Sequence, residues 1–478
     1  MSSLTKRAVI LIACRVMNYG VLLLSPIFLV RILDMTSYGQ YREFVMYAML
    51  LSGIIGFAVN TNFLYFLPKY PEKERNILTN AVVLVLITSG IGIAGIVLAR
   101  DLLRARMSFE YIYALAAYIA FFVNFDFFES YWLGKKRTDY VLYYSSARTV
   151  IRTLAIIAAA YLTHDVHIII AVLVVAEAGK CLLMLSLFRK SFAREIDYSL
   201  MRLQLGYIVP LGSSALITLL NYQLANLTIS LKMGVERLAL YSIGSHQIPI
   251  INIVRTSVMD VLFPEMAQAD EAGRLELWRR ANIIFCFIIF PVYAVLFYFA
   301  RTVIEVLFTA QYLTVVPLFR IYLSTMVLHC FEMGTPLRAM SRTKYYIAGS
   351  ILTLCVNIAF ILVFFGVMGF ITPGVAFILG EAAAALFLAK TILALYHLKL
   401  RKLYFWRKIL LIAGAGIASI PALFASHLIH IGSVKEAILC SSAYLIIYFS
   451  IVRKLRIVEV ETLTRKFISY IRKPVYGR

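Results

Sequence analysis

Acidic residues are scarce in this chain. Asp and Glu number 25 against 47 Lys and Arg in 478 residues, and all four types together make up only 15%. A soluble domain carries roughly 25% charged residues, so too little polar surface is present to coat a globule of this size. Cysteine is also sparse. The six (Cys14, Cys181, Cys286, Cys330, Cys355, Cys440) all fall in apolar runs, and no CxxC pair occurs. Neither a zinc ribbon nor a disulfide framework is indicated. No GxxxxGK[ST] phosphate loop is present, and GKKRT at 134–138 is only a basic turn. Without GxSxG, HExxH or paired carboxylates on a sizeable loop, no nucleophile elbow or metalloprotease helix suggests itself. An enzyme is not expected, nor is a cofactor or a metal.

Apolar residues fill the space. They reach 62%, with a mean hydropathy of +0.84. A bilayer requires about 20 apolar residues per helical crossing, and about fourteen such runs can be counted. The class expected is all-α and polytopic. The net charge of +22 could indicate nucleic acid, but its placement points to the membrane. Thirty-one Lys and Arg fall in segments on one side and eight on the other. By the positive-inside rule both termini lie in the cytosol. The first apolar run ends in RILDMTSYGQY with no small-residue cleavage site, so it reads as a retained helix.

One stretch organises the rest. YVLYYSSARTVIRTLAIIAAAY, residues 140–161, is long enough to cross a bilayer yet carries Arg148 and Arg152. Four apart, they share one helical face. Each costs about 2.5–3.5 kcal/mol at a helix centre, so that face must turn from lipid. Two partners suit it. One is an anionic substrate, because a guanidinium binds phosphate oxygens in bidentate fashion and stays charged when buried. The other is a set of acids on neighbouring helices, such as Asp126 or Glu129, three apart on the fourth span. Neutralising the arginines is the favoured role of those acids, and uptake of H+ or Na+ the alternative. Glu177 and Lys180 read as an internal ion pair. Arg15 on the first span and Arg255 on the eighth are further cavity candidates, and Asp260 a further acid. Tyr222, Asn226 and Ser230 form a polar stripe on the seventh span, suited to sugar hydroxyls or to helix–helix contact.

The halves repeat weakly. VRILDMTSYGQY and SLKMGVERLALY each precede a span that starts at a Tyr (Tyr41, Tyr241), and those spans end in YFLPKY and VLFPEM. KKRTDYVLYY and SRTKYYIAG precede later, corresponding spans. This reads as a parallel duplication: a six-helix lobe over 1–190, a cytosolic linker over 191–204, a second six-helix lobe over 205–398, a terminal helix pair over 399–452 and a basic tail over 453–478.

On these segments, with LLNYQLANLTISLKMGVERLALYSIG and MSRTKYY, the sequence resembles the Wzx-like polysaccharide flippases of the MOP exporter superfamily over roughly 1–400. The resemblance implies two lobes around a central cavity that alternates sides. It also implies the cargo, an undecaprenyl-diphosphate-linked oligosaccharide moved outward across the bacterial or archaeal inner membrane for cell-surface polysaccharide. Membrane lipids and polysaccharide assembly machinery would be its partners. Members often carry an Asp about nine residues before the glycine that ends the seventh span; this chain reads Ala225-Asn226 there. The site residues expected are Arg15, Arg148, Arg152, Arg255 and Asn226 for substrate, and Asp126, Glu129 and Asp260 for ion coupling or charge balance. The rivals are an ion-coupled drug or metabolite exporter of the same superfamily and a membrane oligosaccharide polymerase or ligase. The last would need a large outside loop that the sequence lacks.

Overall fold

The computed structural model describes residues 3–461 except 102–109, 125, 247–257, 260–261, 263–264, 267–268, 332, 341 and 428–431, with side chains from Met17 onward. The described residues are helical throughout, with no strand. Ten helices among them are long and apolar enough to cross a membrane by length and composition. Their lipid-compatible faces show in residues such as Leu98, Leu362 and Val367, all largely exposed.

The chain forms two compact units, Met1–Ser242 and Ile243–Arg478. In the first, α1 (Ser3–Ile32) packs along α7 (Thr138–Thr163), and α2 (Met35–Gly56) packs on α4 (Glu74–Leu98), α5 (Ile112–Val123) and α9 (Tyr198–Met233). A short α3 (Thr61–Lys69) lies against α6 (Phe128–Gly134), and α8 (Val166–Phe188) lies against α5 and α7. Local chemistry sets the ends. Asp34 caps α2 by accepting from the Thr36 and Ser37 amides at 3.0 and 3.2 Å. Asp197 caps α9 through the Leu200 amide at 2.9 Å and pairs with Lys73 at 3.0 Å. Both satisfy amides that a helix start leaves orphaned. The helix α9 packs with α2, α3 and α4 within this first unit.

In the second unit, α11 (Glu271–Tyr298) packs on α13 (Val316–His329) and α17 (Trp406–Ser419). A hairpin of α15 (Thr343–Met368) and α16 (Thr372–Leu395) closes tightly at Gly380, where any Cβ would sit 2.8 Å from the Thr353 carbonyl oxygen. Small residues permit such close helix contact in membranes. The final long helix, α19 (Ser433–Lys454), docks through Tyr448, whose hydroxyl donates to the Phe287 carbonyl of α11 at 2.9 Å.

Candidate functional site

The fourth span is not one helix. It runs as α5 to Val123, breaks at Asn124, where φ is −69° and ψ 131°, and resumes as α6. The break separates Asp126 from Glu129. Their three-residue spacing therefore does not put them on one helical face, because that relation holds only inside a continuous helix. Asn124 stabilises the turn by donating to the Ala120 carbonyl at 2.7 Å and to the Ser89 hydroxyl at 3.2 Å. Lys180 of α8 donates to the Phe122 carbonyl at 2.6 Å. A cation there satisfies an orphaned carbonyl and complements the negative end of the α5 dipole.

Five charges converge on this break. Arg148 donates to Asp126 at 3.0 Å and to Glu177 at 3.1 Å. Arg152 pairs with Glu177 at 3.4 Å and donates to the Tyr118 hydroxyl at 3.2 Å. Lys180 pairs with Glu177 at 3.1 Å and lies 3.7 Å from Asp126. The Phe122 ring adds a cation–π face, 5.0 Å from Lys180 and 5.7 Å from Arg148. Three cations meet two acids, leaving one positive charge in surplus. The inner members are dry, with Glu177 and Lys180 side chains 1% and 4% exposed, while Arg148, Arg152 and Asp126 keep 23, 29 and 33%. Glu177 thus anchors the cluster, and the arginines and Asp126 form its accessible side.

A cavity of about 490 Å³ opens beside the break. Phe122, Val123, Asp126 and Phe127 line it from the broken span, Met49 and Gly53 from α2, and Leu219 from α9. Among the described residues Asp126 is the one charged group in that lining.

The other expected residues fall elsewhere. Glu129 begins α6 and is exposed. Asn226 is half-buried on α9; its amide donates to Gln223 at 3.3 Å, and its Oδ1 is buried without a partner among the described residues. Tyr222 turns outward from the polar stripe, whereas Ser230 turns in. The helix bearing Arg15 is described but its side chain is not, and Arg255 and Asp260 lie outside the described residues. The sequence reading missed Glu43 of α2, which is 5% exposed and hydrogen-bonded to the Ser230 hydroxyl. The signal was available: Glu43 is an acid inside a span.

Known proteins give this arrangement a context. No curated protein matches the chain. Among solved structures, lipid II flippase MurJ in an inward closed conformation matches with a TM-score of 0.74 and 13% identity, covering 94% of this chain and 99% of that one. An inward-facing multidrug resistance MATE family transporter of the MOP superfamily matches at 0.55 and 17% identity, covering 81% of this chain and 96% of its own. A MOP superfamily transporter from Pyrococcus furiosus also matches at 0.55 and 17%, covering 82% and 96%. These likenesses establish a polytopic helical fold shared with those proteins. The family described as polysaccharide biosynthesis protein matches residues 28–317, more than half of the chain. By that match the chain belongs to the polysaccharide biosynthesis protein family.

Proposed function

We propose that this chain is a flippase that carries an undecaprenyl-diphosphate-linked oligosaccharide from the cytosolic to the outer leaflet of a prokaryotic inner membrane by alternating access, with both termini in the cytosol and no covalent chemistry. The observation that carries the reading is the surplus positive charge held at the break of the fourth span, beside a cavity. Membership of a polysaccharide biosynthesis family and a fold shared with a lipid flippase support it.

Each residue of the cluster has a part. Glu177 holds Arg148 and Arg152 from behind, so both guanidinium groups stay placed when their outer partner changes. Asp126, at the cavity wall, is the carboxylate that an incoming phosphate displaces from Arg148. A diphosphate makes bidentate, charge-assisted bonds to such a fork, and the surplus charge offsets its desolvation. Arg15, Arg255 and Asn226 remain proposed contacts, with Asp260 as a proposed acid. An ion gradient of H+ or Na+, or the membrane potential, supplies the drive.

The test is flipping of a lipid-diphosphate sugar in proteoliposomes. Arg148→Ala and Arg152→Ala should each slow transport about 10-fold or more, as the loss of one charge-assisted bond of roughly 1.5–3 kcal/mol implies. Rates equal to the parent would remove the arginines from the cargo path. A second reading, export of a lipophilic cation, draws on the largely apolar cavity with Asp126 as its charged lining. Such a cation would then compete with the lipid diphosphate in the same assay.

A further inference from the structure

A second buried charge in the first unit stands apart from the cluster. Glu43 lies in the N-terminal half of α2, 5% exposed, and its carboxylate meets the hydroxyl of Ser230 on α9. No Lys or Arg nitrogen among the described residues lies within 4 Å of it.

Among the described residues, the charged groups of the surrounding elements are engaged or placed elsewhere, and the titratable hydroxyls of Tyr47 and Tyr111 face Glu43. α5 carries no charged residue. On α8, Glu177 and Lys180 belong to the cluster, and the His167 ring lies tilted against Tyr111, centroids 5.1 Å apart. On α4, Glu74 binds Lys135, and Arg75 follows it at the opposite end of the helix. On α1, Arg31 donates to the Ile27 carbonyl. On α9, Lys232 is exposed and Arg202 sits near the far end. On α10 (Val235–Gly244), Glu236 accepts from Thr36 at 2.9 Å, with Arg237 exposed beside it. Arg42 precedes Glu43 on α2, and Tyr47 lies one turn on.

An ionised carboxylate buried without a counter-charge is costly, and such groups neutralise instead. A metal ion would need several oxygen ligands, and the described neighbours supply one carboxylate with the hydroxyls of Ser230 and Tyr47. A proton needs only these. Acceptors are in surplus nearby: Asn226, one turn from Ser230 on the same face of α9, keeps its buried Oδ1 without a partner among the described residues.

We propose that Glu43 is a proton-binding site whose loaded form holds α2 against the corner between α9 and α10. That corner is tight. Gly39 approaches so closely that a Cβ there would fall 2.2 Å from the Val235 carbonyl oxygen, and Thr36 bonds Glu236 just beyond it. Release of the proton leaves a bare buried charge, which is relieved when the corner opens and water enters. The site does not depend on what the protein carries.

Infrared difference spectroscopy of the full chain in nanodiscs reads the proton directly. The parent should show a protonated-carboxyl stretch that Glu43→Gln lacks, and adding Na+ at constant pH should leave it unchanged. Loss of the band on adding Na+, or an identical band in Glu43→Gln, overturns the proposal. A disulfide between Thr36→Cys and Glu236→Cys reads the corner. Its yield should fall severalfold toward alkaline pH relative to the same pair in a Glu43→Gln background. Equal pH profiles in the two backgrounds would overturn the latch. A Glu43→Gln protein that fails to fold would also count against it, since glutamine is the neutral isostere of the protonated acid.

Discussion

Glu177 and Glu43 are both buried carboxylates in one helical unit, and they solve burial in opposite ways. Glu177 is surrounded by Arg148, Arg152 and Lys180 within 3.4 Å. Glu43 has a hydroxyl. The first arrangement keeps a charge and uses it to hold other charges in place. The second, as proposed above, is stable only without the charge. Buried ion pairs add little net stability over apolar residues, but breaking one leaves an uncompensated charge. The contrast separates a fixed scaffold from a site able to change state.

The same substitution at the two positions tests this most directly. Glu177→Gln should destabilise the protein by about 3–5 kcal/mol, read as lower thermal or denaturant resistance in detergent. Adding Arg152→Gln should recover part of that loss by removing one stranded cation. Next in size, Lys180→Met removes both an ion pair and the cap on the Phe122 carbonyl. A loss of about 2 kcal/mol is expected, with faster amide exchange at the end of α5 as its local sign. Asp197 supplies a half-buried reference at a helix start. The Ser199 hydroxyl, the Leu200 amide and Lys73 hold its carboxyl down at about 2, against an ordinary 3.8. A depressed carboxyl contributes above its unfolded value and loses that contribution as pH falls through the folded one. Asp197→Ala should therefore cost about 1 kcal/mol at neutral pH, and the difference from the parent should vanish below about pH 2. Smallest of all, Glu43→Gln should shift stability by no more than about 0.5 kcal/mol at neutral pH. A loss as large as that of Glu177→Gln would mean that Glu43 is ionised and would erase the contrast.

Parts of this were legible in the residues. Arg148 and Arg152 announce a polar face because they fall four apart in a run otherwise fit for lipid. Glu177 and Lys180, three apart on a continuous helix, form the ion pair that spacing implies. The break at Asn124 was not legible, since IYALAAYIAFFVNFDFF is apolar enough to read as one span. It exists because Lys180, from a helix distant in sequence, satisfies the carbonyl that the break exposes. Glu43 passed unnoticed beside Arg42 near the start of its span, where such residues commonly reach the membrane surface.

The sequence alone determined that this chain crosses a membrane many times and must hide cations inside, because hydrocarbon tolerates neither bare guanidinium groups nor unpaired backbone. Only the tertiary structure decided which acids meet those cations and which acid, among the described residues, meets none. Ion-pair partners are chosen by distances of a few ångströms between helices, and a helical repeat specifies the face a residue occupies but not the neighbour across from it.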